Sequence, residues 1–341
     1  MQKAKGIRHK RVRLCRPASE PLFEKGARSR VAKRCHLYLL PFAFCLSAAA
    51  ATPAPAAGPQ SPTPALTPAE LARANELRDL VTDGKALLDM FAKTDGARET
   101  ALPQADKERR VREILARYER LLRDNPDDPE ALILYGKFLR AVGERELAFK
   151  AFLRADRNAP DLAVVKHQLG AHLAEDGEYS EALPLLRRAV ELAPAEPRYR
   201  YDFAEFLAAA GDPLADSRVL ARDERDRLML ENFAEAARLK RAEAGYRWRA
   251  AEAFHDVAKP DARAALAAWD ALAREARTDL EREAVSLHRA KWLILLGRPD
   301  EARKLIAASS TPSLDATRRK LLDLLQTHTK ALRPARPEAV R

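Results

Sequence analysis

The chain has 341 residues, of which 47% are hydrophobic, 33% are charged and only 12 are glycine, a composition that favours helices with one apolar and one solvated face. Its formal charge of +11 lies almost entirely in residues 1–34, which contain twelve Lys or Arg and two Glu. The rest of the chain is close to neutral, so the charge does not support a general electrostatic attachment of the body of the protein to nucleic acid. Only the basic extension could bind nucleic acid by itself.

Residues 33–51 have the layout of a secretory signal peptide. Lys33 and Arg34 precede an apolar run from Leu37 to about Ser47, and a string of small residues follows. The run is too short to span a bilayer unless the alanines are included. We therefore expect cleavage near Ala51 and export to the periplasm, the cell envelope or the medium, without stable membrane insertion. The alternative is an uncleaved signal that tethers the chain to the membrane.

The residues before this signal, 1–30, are unusual, because the basic region of a signal peptide is normally brief. We interpret Val31 as the true start, read from a non-standard bacterial start codon. Every cysteine of the chain precedes the expected cleavage point, so the mature protein would have no thiol, disulfide or cysteine-based metal site. Lipidation of Cys45 is disfavoured because Phe44 stands where that signal requires a small residue.

Structure is predicted to begin sharply at Thr67, after a Pro/Ala-rich linker over residues 52–66. Thr67 is a helix N-cap, Pro68 occupies the first helical position and Glu70 completes a capping box. This helix should continue to about Phe91. A second helix, about residues 104–123, carries apolar residues at spacings of three and four, which gives it one buried stripe.

Two sets of residues then recur with a step of 34 positions, one of prolines and one of glycines: Pro126, Pro160 and Pro194, and Gly143, Gly177 and Gly211. A fixed period of this length is typical of a solenoid, in which each repeat buries its apolar face against the next.

Between Pro129 and Pro194 the chain resembles the tetratricopeptide repeat (TPR) family. The resemblance implies an all-α, right-handed α-solenoid of helix-turn-helix repeats, with clear repeats at 129–162 and 163–196. It rests on large and small packing positions in both helices of each repeat: Leu132, Tyr135, Gly136, Leu139, Ala148, Phe152 and Ala155 in the first, and Leu169, Gly170, Leu173, Tyr179, Ala182, Leu186 and Ala189 in the second.

Steric reasoning explains the small residues. Gly136 and Gly170 should lie where the two helices of a hairpin approach closely. Gly143 and Gly177 should adopt the left-handed conformation that ends the first helix. A helical TPR domain over 67–211 follows from this pattern, with partial repeats before and after the two clear ones.

The third repeat begins in register with Phe203, Ala204 and Leu207, but the pattern is lost after Gly211. Residues 212–330 are still predicted to be helical, including helices at about 261–276, 279–296 and 300–309. We interpret them as degenerate repeats, with a compact helical cap as the alternative. Residues 331–341 are predicted to be a disordered tail.

No catalytic or metal-binding pattern stands out. The closest histidines of the mature chain, His167 and His172, are five residues apart and point in different directions on a helix. A histidine on a repeat helix is more often a surface or groove residue than a metal ligand. The many carboxylates are expected to line the solvated faces of amphipathic helices. The sequence contains no phosphate loop, dinucleotide fingerprint or nucleophile elbow. We therefore expect a protein that is not an enzyme and needs no cofactor and no metal.

By resemblance to the family, the first helices of the repeats should line a binding groove for a protein or peptide partner. Ile133 and Tyr201 would be apolar anchors, and Lys137 and Arg198 would be cations for an acidic segment. The alternative is a solvated wall without a ligand. The full predicted groove comprises Glu130, Ile133, Lys137, His167, Ala171, Arg198, Tyr201 and Glu205.

These observations predict an exported, non-catalytic adaptor or assembly factor in a bacterial cell envelope. The alternative function is a structural spacer or subunit of an envelope complex, anchored by an uncleaved signal segment. An exposed apolar patch around Trp248 or Trp292 would favour that alternative.

Overall fold

The computed structural model describes residues 67–94 and 103–331. The predicted basic extension, signal peptide, linker and tail after residue 331 lie outside the described residues. Within these ranges all regular structure is helical, with fourteen α-helices, two short 3₁₀ turns and no strand. The chain forms two compact units, unit 1 ending at Pro160 and unit 2 beginning at Asp161.

Unit 1 contains four helices: α1 (Pro68–Thr94), α2 (Gln104–Asp124), α3 (Pro129–Ala141) and α4 (Arg145–Asn158). Helix α1 begins with the predicted capping box, because the Thr67 backbone N–H donates to Glu70 Oε2 at 2.8 Å and the Glu70 N–H donates to Thr67 Oγ1 at 3.3 Å. The predicted helix 104–123 is confirmed as α2, whose buried stripe includes Ile114, Tyr118 and Leu121.

Helices α3 and α4 form the first regular hairpin. A Cβ atom at Gly136 would lie 2.8 Å from the Phe152 ring, so the predicted close approach of the two helices is confirmed. Gly143 lies in the turn with φ of +91°, the left-handed conformation that was predicted for it. Gly136 thus allows the two helices to pack closely, and Gly143 allows the chain to reverse direction between them.

Unit 2 contains ten helices: α5 (Ala163–Asp176), α6 (Tyr179–Leu192), α7 (Pro197–Ala209), α8 (Gly211–Asp216), α9 (Arg222–Leu239), α10 (Ala244–Glu252), α11 (Ala262–Ala273), α12 (Asp279–Leu295), α13 (Pro299–Ala307) and α14 (Asp315–Ala331).

Helices α5 and α6 repeat the geometry of the first hairpin. A Cβ atom at Gly170 would lie 2.8 Å from Leu186 Cγ and 3.1 Å from the Leu186 backbone nitrogen. Gly177 caps α5 with φ of +87°. Both glycine predictions for this repeat are therefore confirmed.

The third hairpin explains why the periodic pattern is lost. Its helices α7 and α9 pack together, but residues 210–221, including the short helix α8, are inserted between them. Gly211 is buried against the Arg225 guanidinium and does not have positive φ, unlike Gly143 and Gly177. Leu214 and Leu220 anchor the insertion in the core. The period therefore ends because residues have been added at the turn, and helical hairpins continue beyond it.

The C-terminal helices confirm the helical prediction for this region, with α11, α12 and α13 close to their expected positions. They surround a core that contains Trp269 and Trp292 together with Ile306 of α13 and Leu321 of α14. Gly297 turns the chain between α12 and α13 with φ of +72°. Among the residues that the structure describes, no helix has the length and apolar character needed to cross a bilayer.

Candidate functional site

In unit 1 the predicted groove residues lie along α3. Glu130 is exposed, and its carboxylate accepts a hydrogen bond from Arg73 Nη2 of α1 at 3.2 Å. Ile133 and Lys137 are half-buried one and two turns further along the helix. Their spacings of three and four residues place the three side chains on one side of α3.

In unit 2 the predicted groove residues of α5 differ in their access to solvent. Ala171 is half-buried, whereas His167 is only 4% exposed. His167 Nε2 lies 2.8 Å from Asp202 Oδ2 of α7, and its ring packs 4.8 Å from the Tyr199 ring. His167 is therefore too buried to contact a partner itself. Its contribution to the face of α7 is to hold the Asp202 carboxylate in place.

Arg198 is the exposed cation of this face. Its Nε donates to the same Asp202 oxygen at 3.4 Å, and its side chain is 53% exposed, whereas that of Asp202 is 11% exposed. Asp202 thus connects a buried histidine to an exposed arginine. Within the described residues the terminal amino groups of Arg198 have no hydrogen-bond partner, so they are available to a carboxylate of another molecule.

Tyr201 contributes an aromatic surface beside Arg198. Its ring stacks on Tyr246 of α10 with centroids 4.6 Å apart, and it meets Phe233 of α9 edge-on at 5.5 Å. Burial, followed by the nearby Glu205 carboxylate, raises the pKa of Tyr201, so its hydroxyl stays protonated and can donate at neutral pH. The predicted anchor is therefore already half of an aromatic pair.

Glu205 is occupied by the protein itself. Its Oε1 accepts from Arg249 Nε of α10 at 2.7 Å, and Arg249 also contacts Asp256 at 3.0 Å and lies 4.3 Å over the Phe233 ring. Burial opposes the charge of Arg249, but the carboxylates of Glu205 and Asp256 outweigh it and raise the arginine pKa. Glu205 therefore joins α7 to α10 and offers little charge to a ligand.

Sequence reasoning did not assign Asp202, Tyr246 and Arg249 to this face. Asp202 could have been found, because it follows Arg198 by four residues on the same helix. Tyr246 and Arg249 lie beyond the insertion at 210–221, where the repeat register no longer indicates which residues face the predicted groove.

Two histidines of the repeat helices are buried and not exposed at the surface. His167 is buried, and His172 is also only 4% exposed, with Nε2 3.2 Å from Asp176 Oδ2. Both rings fill space between helices, and each places one nitrogen against a carboxylate.

Trp248 and Trp292 pack into the C-terminal core rather than forming an exposed patch. Trp292 is 1% exposed, and Trp248 meets Trp269 edge-on at 5.1 Å. The surface feature that would favour a spacer role is therefore not formed by these side chains.

A depression of about 450 Å³ lies beside α11 and the turn after α12. Two of its charged side chains have partners, because Asp270 accepts from Arg289 at 2.6 Å and Arg298 donates to Glu301 at 2.6 Å. The carboxylate that lines the depression, that of Asp270, is therefore engaged in an ion pair.

Helical hairpins with a close-approach glycine and a left-handed turn glycine define a helical-repeat protein with a TPR-like fold. The resemblance drawn from the sequence is thus confirmed at the level of the fold.

No protein-family model matches the chain, and no curated protein matches it. Among solved structures, the chain is similar to the Naa15/Naa10 complex bound to HypK-THB, with 15% identity and a TM-score of 0.50 over 76% of this chain and 34% of that chain. It is also similar to YrrB, a TPR protein with an unusual peptide-binding site, with 15% identity and a TM-score of 0.46 over 63% of this chain and 98% of that one. PilF of Pseudomonas aeruginosa matches with 14% identity and a TM-score of 0.46 over 76% and 99%.

Proposed function

We propose that this protein is an exported, non-catalytic scaffold that holds a partner protein or peptide against the first helices of its repeats. In this proposal the partner presents an acidic segment, and the protein works as an adaptor or assembly factor in a bacterial cell envelope. Neither a cofactor nor a metal is required. The mature chain binds no nucleic acid.

Arg198 is the observation that carries this proposal. An arginine that is about half exposed is held at one nitrogen by Asp202, which is itself held by the buried His167. Such an arrangement reduces the side-chain entropy that is lost when the guanidinium binds a carboxylate. The Tyr201–Tyr246 stack lies on the same helix face and supplies aromatic surface for the apolar part of a bound segment.

A matched pair of arginine variants tests this face. Arg198→Ala removes the exposed cation of α7, whereas Arg188→Ala removes an arginine of α6 that is 46% exposed and pairs with Asp161 and Glu191. The full chain and both variants are used to capture proteins from envelope extracts of the host, with cross-linking and mass spectrometry. A partner that binds the wild type and Arg188→Ala but is lost at least tenfold with Arg198→Ala supports the proposal. Equal capture by all three proteins contradicts it.

Export is tested by fractionating the host and sequencing the N-terminus of the purified protein. A start near Thr52 in a soluble envelope or medium fraction supports the proposed location. Retention of residues 1–50 in a membrane fraction would support the tethered alternative, and recovery from the cytoplasm would contradict export.

A further inference from the structure

The three tryptophans of the chain, Trp248, Trp269 and Trp292, converge in unit 2 although they come from three different helices. Two histidine rings lie among them. His288 of α12 stacks on Trp269 with centroids 3.9 Å apart and planes within 2°, and His255 stacks on Trp292 at 4.8 Å and 4°. The cluster thus places each imidazole flat against an indole. We refer to these five residues with Lys291 as the His–Trp cluster.

The polar atoms of the cluster form one directional chain. Lys291 Nζ lies 2.9 Å from His255 Nδ1, and His255 Nε2 lies 3.2 Å from His288 Nδ1. A lysine ammonium can only donate, so His255 Nδ1 must accept and the proton of this ring must be on Nε2. That N–H donates to His288 Nδ1, which places the proton of His288 on its own Nε2. The arrangement therefore requires both rings to be neutral.

We propose that the His–Trp cluster is a proton-operated lock between the 3₁₀ turn Ala253–His255 and helix α12. An added proton on His288 Nδ1 faces the N–H of His255. If His255 shifts its proton to Nδ1 to accept, that proton faces the Lys291 ammonium. Each position for an extra proton thus sets two donors against each other, so protonation separates the turn from α12.

The charged groups on neighbouring elements have contacts of their own. Glu252 of α10 accepts from Trp248 Nε1 at 2.9 Å, and Asp256 after the turn contacts Arg249 at 3.0 Å. Asp270 of α11 pairs with Arg289 of α12 at 2.6 Å.

The remaining neighbouring elements contribute differently. Arg225 of α9 donates to the Asp256 backbone carbonyl at 3.4 Å. Helices α13 and α14 contribute the apolar side chains of Ile306, Leu321 and Leu325 to the same core. The charge that acts on His288 is that of Lys291, and it opposes protonation of the ring.

The direction of the pH effect follows from His288. Burial, followed by the charge of Lys291, lowers the pKa of His288 from its ordinary value of 6.5 to about 4. Between pH 6.5 and pH 4, His288 is protonated in the unfolded or opened chain but stays neutral in the closed cluster. The closed form therefore loses stability as pH falls from 6.5 toward 4, and it loses no more from this group below pH 4.

Tryptophan fluorescence reads this lock directly, because every indole of the chain lies in the cluster and a protonated imidazole quenches an indole that it stacks on. In the full chain we expect a reversible fall in emission between pH 6.5 and 4, at pH values where circular dichroism at 222 nm still shows full helix content. A fluorescence change that coincides with loss of helix would overturn the proposal.

Substitution of Lys291 tests whether the ammonium group opposes protonation of the cluster or whether burial of the histidine is sufficient. Lys291→Met removes the opposing ammonium, so the fluorescence midpoint should rise by about one pH unit, equivalent to a tenfold easier protonation. His328→Gln, which changes a histidine of α14 outside the cluster, should leave the midpoint in place. An unchanged midpoint in Lys291→Met would refute the role of the chain of donors.

A measurement on the wild type keeps the proposal testable if variants fail to fold. Two-dimensional ¹H–¹⁵N NMR of the imidazole rings at pH 7 should show both His255 and His288 neutral and protonated on Nε2. Finding either ring charged, or protonated on Nδ1, would overturn the assigned chain.

Discussion

The regular hairpins and the C-terminal hairpins solve the same packing problem with different side chains. In α3/α4 and α5/α6 the helices meet where a glycine faces a large side chain, as Gly170 faces Leu186. Between α10, α11 and α12 the contact is made by large aromatic rings, among them Trp248, Trp269 and His288. The glycine contacts bring the helix backbones close together, whereas the aromatic rings fill the space between helices.

The difference has a consequence for specificity. A glycine contact depends on two positions at a fixed spacing, so it can be repeated along the chain without change. The aromatic contact depends on one set of rings and hydrogen bonds that occurs once. The regular hairpins therefore depend on small residues at fixed positions in addition to their buried large side chains, whereas the C-terminal hairpins depend on one particular set of rings.

The largest expected effect comes from truncating a ring of the second type. Trp269→Ala should lower the free energy of unfolding by about 4 kcal/mol, because a fully buried indole is replaced by a cavity that its neighbours can fill only in part. Urea unfolding followed by circular dichroism measures the change. Leu295→Ala, at a position that is 40% exposed in α12, is the control and should change stability by less than about 0.5 kcal/mol. Similar losses in both variants would contradict the contrast.

A smaller effect is expected from adding one methyl group to the first type of contact. Gly170→Ala should cost about 2 kcal/mol, because the new Cβ would meet both the side chain and the backbone nitrogen of Leu186. Gly245→Ala is the matched control, since a Cβ there meets nothing within 4 Å. It should be neutral or stabilise α10 by up to about 0.5 kcal/mol. If thermal unfolding shows the two variants to be equally stable, the close approach in α5/α6 is not the constraint inferred here.

The smallest effects concern the helix caps, one in each type of hairpin. Asp128 and Asp261 each accept two backbone N–H groups at the start of α3 and α11, and Asp128 also pairs with Arg73. Removing the cap with Asp261→Ala should cost about 1 kcal/mol, and Asp128→Ala somewhat more because the arginine also loses its partner. Asp128→Asn keeps the cap and loses only the ion pair, so it should recover most of the loss in denaturant unfolding. A variant Asp128→Asn as unstable as Asp128→Ala would show that the ion pair, and not the cap, matters.

The same contrast explains how much could be predicted. Helix bounds, the capping box at Thr67 and the roles of Gly136 and Gly170 were predictable, because each depends on residues close in sequence or repeated at a fixed step. The placement of His167 was not, since the partner that buries it, Asp202, is 35 positions away on another helix. The predicted groove as a binding face stays a prediction.

The C-terminal contacts were least accessible to sequence reasoning. His255 and His288 are 33 positions apart and Arg249 and Glu205 are 44 apart, and no period connects them after the insertion at 210–221. Spacing within one helix therefore excluded a shared site for His167 and His172 but said nothing about pairs that tertiary packing brings together.

The insertion between α7 and α9 also marks a turn of the repeat array at which additional residues are accommodated. Residues 210–221 have been added at a turn while α7 and α9 still pack as the two halves of a hairpin. The added segment carries its own anchors, Leu214 and Leu220, and its exposed end includes Arg218, whose φ of +59° is the conformation of a tight reversal. For a protein engineer, the exposed end of this turn is a natural site for a grafted epitope or reporter, because the flanking helices already pack together with residues 210–221 between them.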